Sequence, residues 1–133
     1  MNSILVVVAH SDDEVLGCGG TISRFVKEGN QVHILFMTDG VSSRNSSSLK
    51  QEKTKRKIAA ENANKLLGTT SVWYLNFPDN QMDSITRLKV IKEIEAFISL
   101  HKPLRVFTHH CGDVNIDHRV THDAVIAACR PQP

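Results

Sequence analysis

A chain of 133 residues with 41% hydrophobic and 23% charged side chains reads as one soluble globular domain over 1–133, with core enough to need no disulfide staple. A net charge of +2 is too small to argue for nucleic acid or a membrane surface, and no apolar run approaches the ~20 residues that span a bilayer. Cys18, Cys111 and Cys129 are too few and too scattered for a disulfide framework and read as free thiols in a reducing cytoplasm.

Periodicity alternates along the chain. Ile4 to Val8 is a continuous β-branched and leucine run, as expected of a strand covered on both faces. No basic segment precedes it and Asp12-Asp13-Glu14 ends it, so it is a strand and not a signal peptide. The spacing predicts a helix over 15–28, with Ile22, Phe25 and Val26 on one side and Gly29 as its stop. Val32 to Met37 is the second strand, followed by a polar loop that holds Asp39-Gly40 and Arg44. A helix over 49–67 is expected to bury Ala59, Ala63 and Leu66 and to end at Gly68. Its lysines read as a solvated face, with Arg56 as the alternative that reaches a pocket mouth. Thr70 to Leu75 is the third strand, and Pro78-Asp79-Asn80 a turn. A helix over 84–101 carries Ile85, Leu88, Ile91, Ile94 and Ile98 at helical spacing. A fourth strand starts at Val106, and a last helix near Arg119 turns Val120, Ala124 and Ala127 inward.

Strands alternating with helices predict an α/β fold, a Rossmann-like open parallel sheet with helices on both faces. The expected strand order is 3-2-1-4. Strands 1 and 4 are then neighbours where the winding reverses, and ligands bind there, beyond the C-terminal strand ends. That topology brings His10-Asp12-Asp13 into one crevice with the loop His109 to His118. The chain stops at 130–133 with strand 4 as an edge, so a C-terminal portion is expected to be missing. The exposed edge leaves room for a homo-oligomer.

His10 and Asp13 stand three apart at a strand-to-helix turn and can face one point, leaving Asp12 free as a base. The same acids would also serve as carboxylates at a helix N-terminus. Asp113, Asn115, Asp117 and His118 form the second cluster. His118 supplies a third ligand, and a neighbouring acid such as Asp117 can orient an imidazole. His122 lies four residues after His118 and competes with it. Gly17-Cys18-Gly19-Gly20 lacks the dinucleotide spacing and follows three acids that repel phosphate; its glycines read as close helix–sheet packing.

Ala9-His10-Ser11-Asp12-Asp13-Glu14 and Asp117-His118-Arg119 resemble the two signatures of the LmbE-like/PIG-L family of zinc N-deacetylases, along essentially the whole chain. The resemblance implies zinc on His10, Asp13 and His118, Asp12 as general base, and deacetylation of a small-molecule N-acetylated amino sugar. It sets Asp39 and Arg44 in the substrate-binding loop. Ser11 replaces the family's usual proline. Asn115 stands where many members carry a histidine that assists the reaction, and it cannot shuttle a proton; His110 or His109 is the substitute. The rival expectations are a zinc amidase acting on thiol conjugates and an inactive metal- or sugar-binding module.

Overall fold

The computed structural model describes residues 1–41 and 47–131. Four parallel strands, β1 (Ser3–Val8), β2 (Gln31–Thr38), β3 (Ser71–Phe77) and β4 (Arg105–Phe107), stand in the order β3-β2-β1-β4. The helices are α1 (Asp13–Lys27), α2 (Leu49–Leu67), α3 (Arg87–His101) and α4 (Ile116–Ala128), with a 3₁₀ turn at Met82–Ser84. The expected class and strand order are those observed. No helix among the described residues is long and apolar enough to cross a membrane.

The alternation of side chains along β1 and β2 builds the two layers. Leu5, Val7, Leu35 and Met37 face Val90 and Ile94 of α3 and Val120 and Ala124 of α4. Ile4, Val6, Ile34 and Phe36 face Ile22 of α1 and Ala60 of α2. Both faces of the central strands are buried, which is why these strands read as continuous apolar runs. The register is fixed by hydrogen bonding, with Val6 opposite both Ile34 and Phe107. One residue beyond β1, the Ala9 carbonyl accepts from the Thr38 N–H and hydroxyl at 3.0 and 2.9 Å. The chain is therefore still ordered where it enters the crevice.

Three expectations need correction. The α2 face turned inward is Ala60 and Asn64, whereas Ala59 is exposed, Ala63 half-buried and Leu66 90% exposed. Asn64 tolerates burial because its amide is bonded to Glu14, a partner on another helix. Leu88 of α3 is exposed, and Val90 and Ile94 carry the contact. Finally, a Cβ added at Gly17 or Gly20 would meet nothing within 4 Å, so these glycines are not there for close packing. Gly68 does end α2 as expected: it sits at φ 79°, and a Cβ there would lie 2.9 Å from a Val26 methyl.

At the opposite end of the sheet from the crevice, His33 of β2 stacks on His101 of α3 with ring centroids 4.0 Å apart. Burial, and for His33 also the neighbouring imidazole, hold both below the ordinary histidine pKa. Groups depressed in the folded state bind protons more readily when unfolded. The stability they give is thus present above the unfolded value of 6.5 and is lost as pH falls through it. Thermal melts at pH 7 and pH 5 should show a smaller loss of Tm for His101→Phe than for the wild type. An equal loss would remove the pair from the account.

Candidate metal centre

β1 delivers His10 into a tight turn closed by the Asp13 carboxylate, whose Oδ2 accepts the His10 N–H at 2.9 Å. The second arm is the loop between β4 and α4. Asn115 ends it as the helix cap, its Oδ1 accepting from Asp117 N at 2.9 Å and His118 N at 3.4 Å. This cap starts α4 at Ile116 rather than near Arg119, so His118 lies in the first turn and points back at the crevice.

Three atoms from the two arms meet. His10 Nδ1 lies 3.2 Å from His118 Nε2 and 3.3 Å from Asp13 Oδ2, and His118 Nε2 lies 3.2 Å from Asp13 Oδ2. A metal ion bonded at about 2.0 Å to three corners of a tetrahedron sets those corners roughly 3.3 Å apart. The triangle matches one such face, and its two nitrogens and one oxygen could hold a divalent ion.

The outer ring nitrogens are held as metal-bound imidazoles require. His10 Nε2 lies 2.9 Å from Asp117 Oδ2 and 3.1 Å from Asp79 Oδ1, and His118 Nδ1 lies 2.8 Å from Asp113 Oδ2. Asp117 is fully buried and also accepts the Asn80 and Met82 N–H groups at 2.6 and 3.0 Å. It therefore orients His10, on the opposite arm, and not its sequence neighbour His118. Burial opposes the charge on His10, but the bonds to Asp117 and Asp13 outweigh it and push the pKa up to about 9. Burial also opposes ionisation of Asp13 and Asp117, and the hydrogen bonds to each, led by His10, hold both below the usual carboxylate range. Two further donor groups overlap this one, His109-Asp113-His118 and His10-Asp79-Asp117. Both draw on atoms already engaged in these bonds or in backbone contacts.

The structure sorts the remaining expectations. Asp12 stands at the crevice mouth with its side chain 61% exposed, 4.0 Å from Arg56 Nη2. Its backbone sits at φ 104°, a left-handed conformation that costs an aspartate on the order of 1–3 kcal/mol. The mouth, about 250 Å³, is lined by His10, Asp12, Gly40, Arg56, Asp79, Asn80 and Asn115. Arg56 thus reaches it. A Cβ at Gly40, which has φ 69°, would crowd the Arg56 Nε at 3.3 Å. Asn115 Nδ2 donates to Asn80 Oδ1 at 3.3 Å. Asp39 lines an adjoining cavity of about 330 Å³ that shares Arg56 with this region, and Arg44 lies outside the described residues.

His110 is exposed, its Nδ1 accepts from its own loop at Gly112 N, and it lines a cavity with Asp13, Cys18, Phe107 and His109 rather than the mouth at Asp12. His109 stacks flat on His118, with centroids 3.8 Å apart, and accepts the Ala9 N–H at 2.9 Å. Burial and the neighbouring His118 hold its pKa down to about 4, so it is a neutral ring packed against His118. His122 joins no group of three donors among the described residues, and its Nδ1 is bonded to the His109 carbonyl at 2.7 Å. Asp79 was missed. Pro78-Asp79-Asn80 signals a turn and nothing more, yet the Asp79 side chain is buried against His10.

The family model for GlcNAc-PI de-N-acetylase (PIG-L) matches residues 5–129, and the chain belongs to that family. It is 32% identical over 137 residues to the uncharacterised deacetylase YaiS of Escherichia coli (strain K12), covering 98% of this chain and 69% of that protein. A 37-residue stretch, 28% of this chain, is 51% identical to 1D-myo-inositol 2-acetamido-2-deoxy-alpha-D-glucopyranoside deacetylase of Rhodococcus opacus (strain B4), of which it covers 13%. Among solved structures, the N,N'-diacetylchitobiose deacetylase from Pyrococcus horikoshii superposes with a TM-score of 0.86 at 27% identity. The match covers 96% of this chain and 49% of that one, so the chain spans about half the length of this structural relative.

Removing an outer carboxylate should loosen the ion without removing a ligand. Asp113→Asn and Asp117→Asn are each expected to weaken the binding of an added divalent ion, tested with zinc, roughly 10- to 100-fold. Only Asp117→Asn, buried and bonded to two backbone N–H groups, should also lower Tm appreciably. Competition with a chromophoric chelator and a thermal melt measure the two effects; unchanged zinc affinity in both variants would show that these contacts do not support the site.

Proposed function

We propose that this chain is the catalytic portion of a zinc-dependent N-deacetylase that hydrolyses the acetamide of an N-acetylated amino sugar of the N-acetylglucosamine type. What supports the reading is one juxtaposition: three metal-type donors 3.2–3.3 Å apart beside an exposed carboxylate that takes no part in the triangle. Family membership and relatives named as deacetylases of acetylated sugars agree with it.

His10, Asp13 and His118 hold the ion. Bound there, zinc supplies Lewis acidity, lowering the pKa of water to roughly 7 and polarising the amide carbonyl. Asp12 takes the proton of the attacking water, whose oxygen bonds to the acetyl carbon. As the C–N bond breaks, the protonated Asp12 returns that proton to the departing nitrogen. The second water proton stays on the attacking oxygen, so the products are acetic acid and a free amine, which ionise in water to acetate and an ammonium, and the Asp12 carboxylate is regenerated. Arg56, at the mouth and bonded to the Ser11 carbonyl at 2.9 Å, and Asp39 in the adjoining cavity would meet sugar hydroxyls, with Arg44 of the polar sequence loop as their third member.

Asp12→Asn keeps the shape and removes the base. We expect zinc content to stay at wild-type level and acetate release from N-acetylglucosamine derivatives to fall by roughly 100- to 10,000-fold. Acetate release at the wild-type rate from this variant would remove Asp12 from the mechanism.

A further inference from the structure

We propose that Glu14 and Asn64 are positioning residues for the reacting carboxylate: with Arg56 they lock the plane of the Ser11–Asp12 peptide, which sets where the Asp12 side chain stands. The inference rests on reading Asp12 as the base.

That peptide is gripped at both ends. Its carbonyl, on Ser11, accepts from Arg56 Nη2 at 2.9 Å. Its N–H, on Asp12, donates to Glu14 Oε2 at 3.0 Å. Glu14 Oε1 in turn accepts from Asn64 Nδ2 at 2.9 Å, and Asn64 Nδ2 also donates to the Ala60 carbonyl at 3.0 Å. The two acceptors facing Nδ2 fix which way the amide points. Arg56 and Asn64 both belong to α2, so one rigid helix supplies both grips.

A carboxylate that served only the α1 N-terminus would stand in water. Glu14 is fully buried, and Asn64 is 1% exposed. Burying a carboxylate is costly even when its oxygens are satisfied; here each oxygen has a donor, yet burial still holds the Glu14 pKa above the ordinary carboxylate value. What they hold is a residue at φ 104°, which an aspartate leaves unless its surroundings over-determine it. Flipping the peptide would turn the Ser11 carbonyl toward the Glu14 carboxylate and take the acceptor away from Arg56. The lock thus resists the motion that relieves the strain, and its anchor on α2 lies outside both sequence signatures.

The test compares wild type, Asn64→Leu, Glu14→Leu and Glu14→Gln, all zinc-loaded. The readouts are Asp12 amide exchange by NMR, zinc affinity, and kcat and KM for acetate release. Asn64→Leu and Glu14→Leu should speed Asp12 amide exchange ~10-fold or more while Val6 and Leu35 stay protected. They should lower kcat roughly 10- to 100-fold with KM and zinc affinity within about threefold of wild type. Glu14→Gln keeps an acceptor for the Asp12 N–H and should recover most of both losses. Asn64→Leu and Glu14→Gln preserve volume, so they carry the test if Glu14→Leu does not fold. Wild-type exchange and kcat in Asn64→Leu overturn the proposal. So does a kcat that falls only in step with Tm and zinc affinity while the Asp12 amide stays protected, since that is a purely structural role. A wild-type chain that releases no acetate counts against Asp12 as base; Asp12 amide exchange then decides the lock alone, for it if Asn64→Leu speeds exchange and against it if not.

Discussion

Two imidazole nitrogens and a carboxylate oxygen held within 3.3 Å of one another are the constraint that the rest of this molecule serves. Such atoms do not stay together by attraction alone, since two imidazoles facing each other must share protons or a cation. They are kept in place because their outer atoms are tied elsewhere: His10 to Asp117 and Asp79, His118 to Asp113, and Asp13 to the His10 backbone. Those ties come from four separate segments, brought together by a sheet whose strands are apolar on both faces and fixed in register. The central strands β1 and β2 present mainly apolar side chains to both layers, and the donor groups collect where those strands end.

Burial of acids is the cost of this arrangement. Glu14, Asp79 and Asp117 are among the few buried polar groups, and each is an acid whose removal from water must be offset by donors. Asp117 has two backbone N–H groups and an imidazole; Glu14 has a backbone N–H and an amide. Two of them also reach across element boundaries: Asp117 joins α4 to the turn after β1 and the turn after β3, and Glu14 joins α1 to α2. The same contacts that orient the site therefore couple the packing of the two helical layers to its geometry.

How much of this was legible in the sequence depended on whether local pattern or tertiary partner decides a residue's fate. Continuous runs such as Ile4 to Val8 decide for themselves, and they carried the strand order and the meeting of two loops about a hundred residues apart. His10, Asp12, Asp13 and His118 follow from that meeting. Asp79 does not, because Pro-Asp-Asn signals a turn whether its side chain faces water or a histidine. Nor does the inward face of α2. Asn64 is buried because Glu14 is there to meet it, and an apolar-inward pattern points to Ala63 and Leu66 instead. His109 and His110 are adjacent and identical, and only the packing against His118 and the Ala9 N–H distinguishes the buried ring from the exposed one.

The fate of the proton taken from water in the proposed reaction follows from the same sorting. The departing amine needs a donor at the mouth. His109 is neutral, stacked and bonded to the backbone, and His110 faces another cavity. Asn115 spends its oxygen on the first turn of α4 and its amide on Asn80, so it can hold a substrate oxygen but not carry a proton. Asp12 is the acid at the mouth whose side chain stands open to solvent and outside the donor triangle, and on the proposed reading it both takes and returns the proton. One carboxylate that serves twice must stay within reach of the water and then of the nitrogen. This is why the left-handed turn beneath it, and the helix that grips that turn, matter more here than where a separate histidine donates.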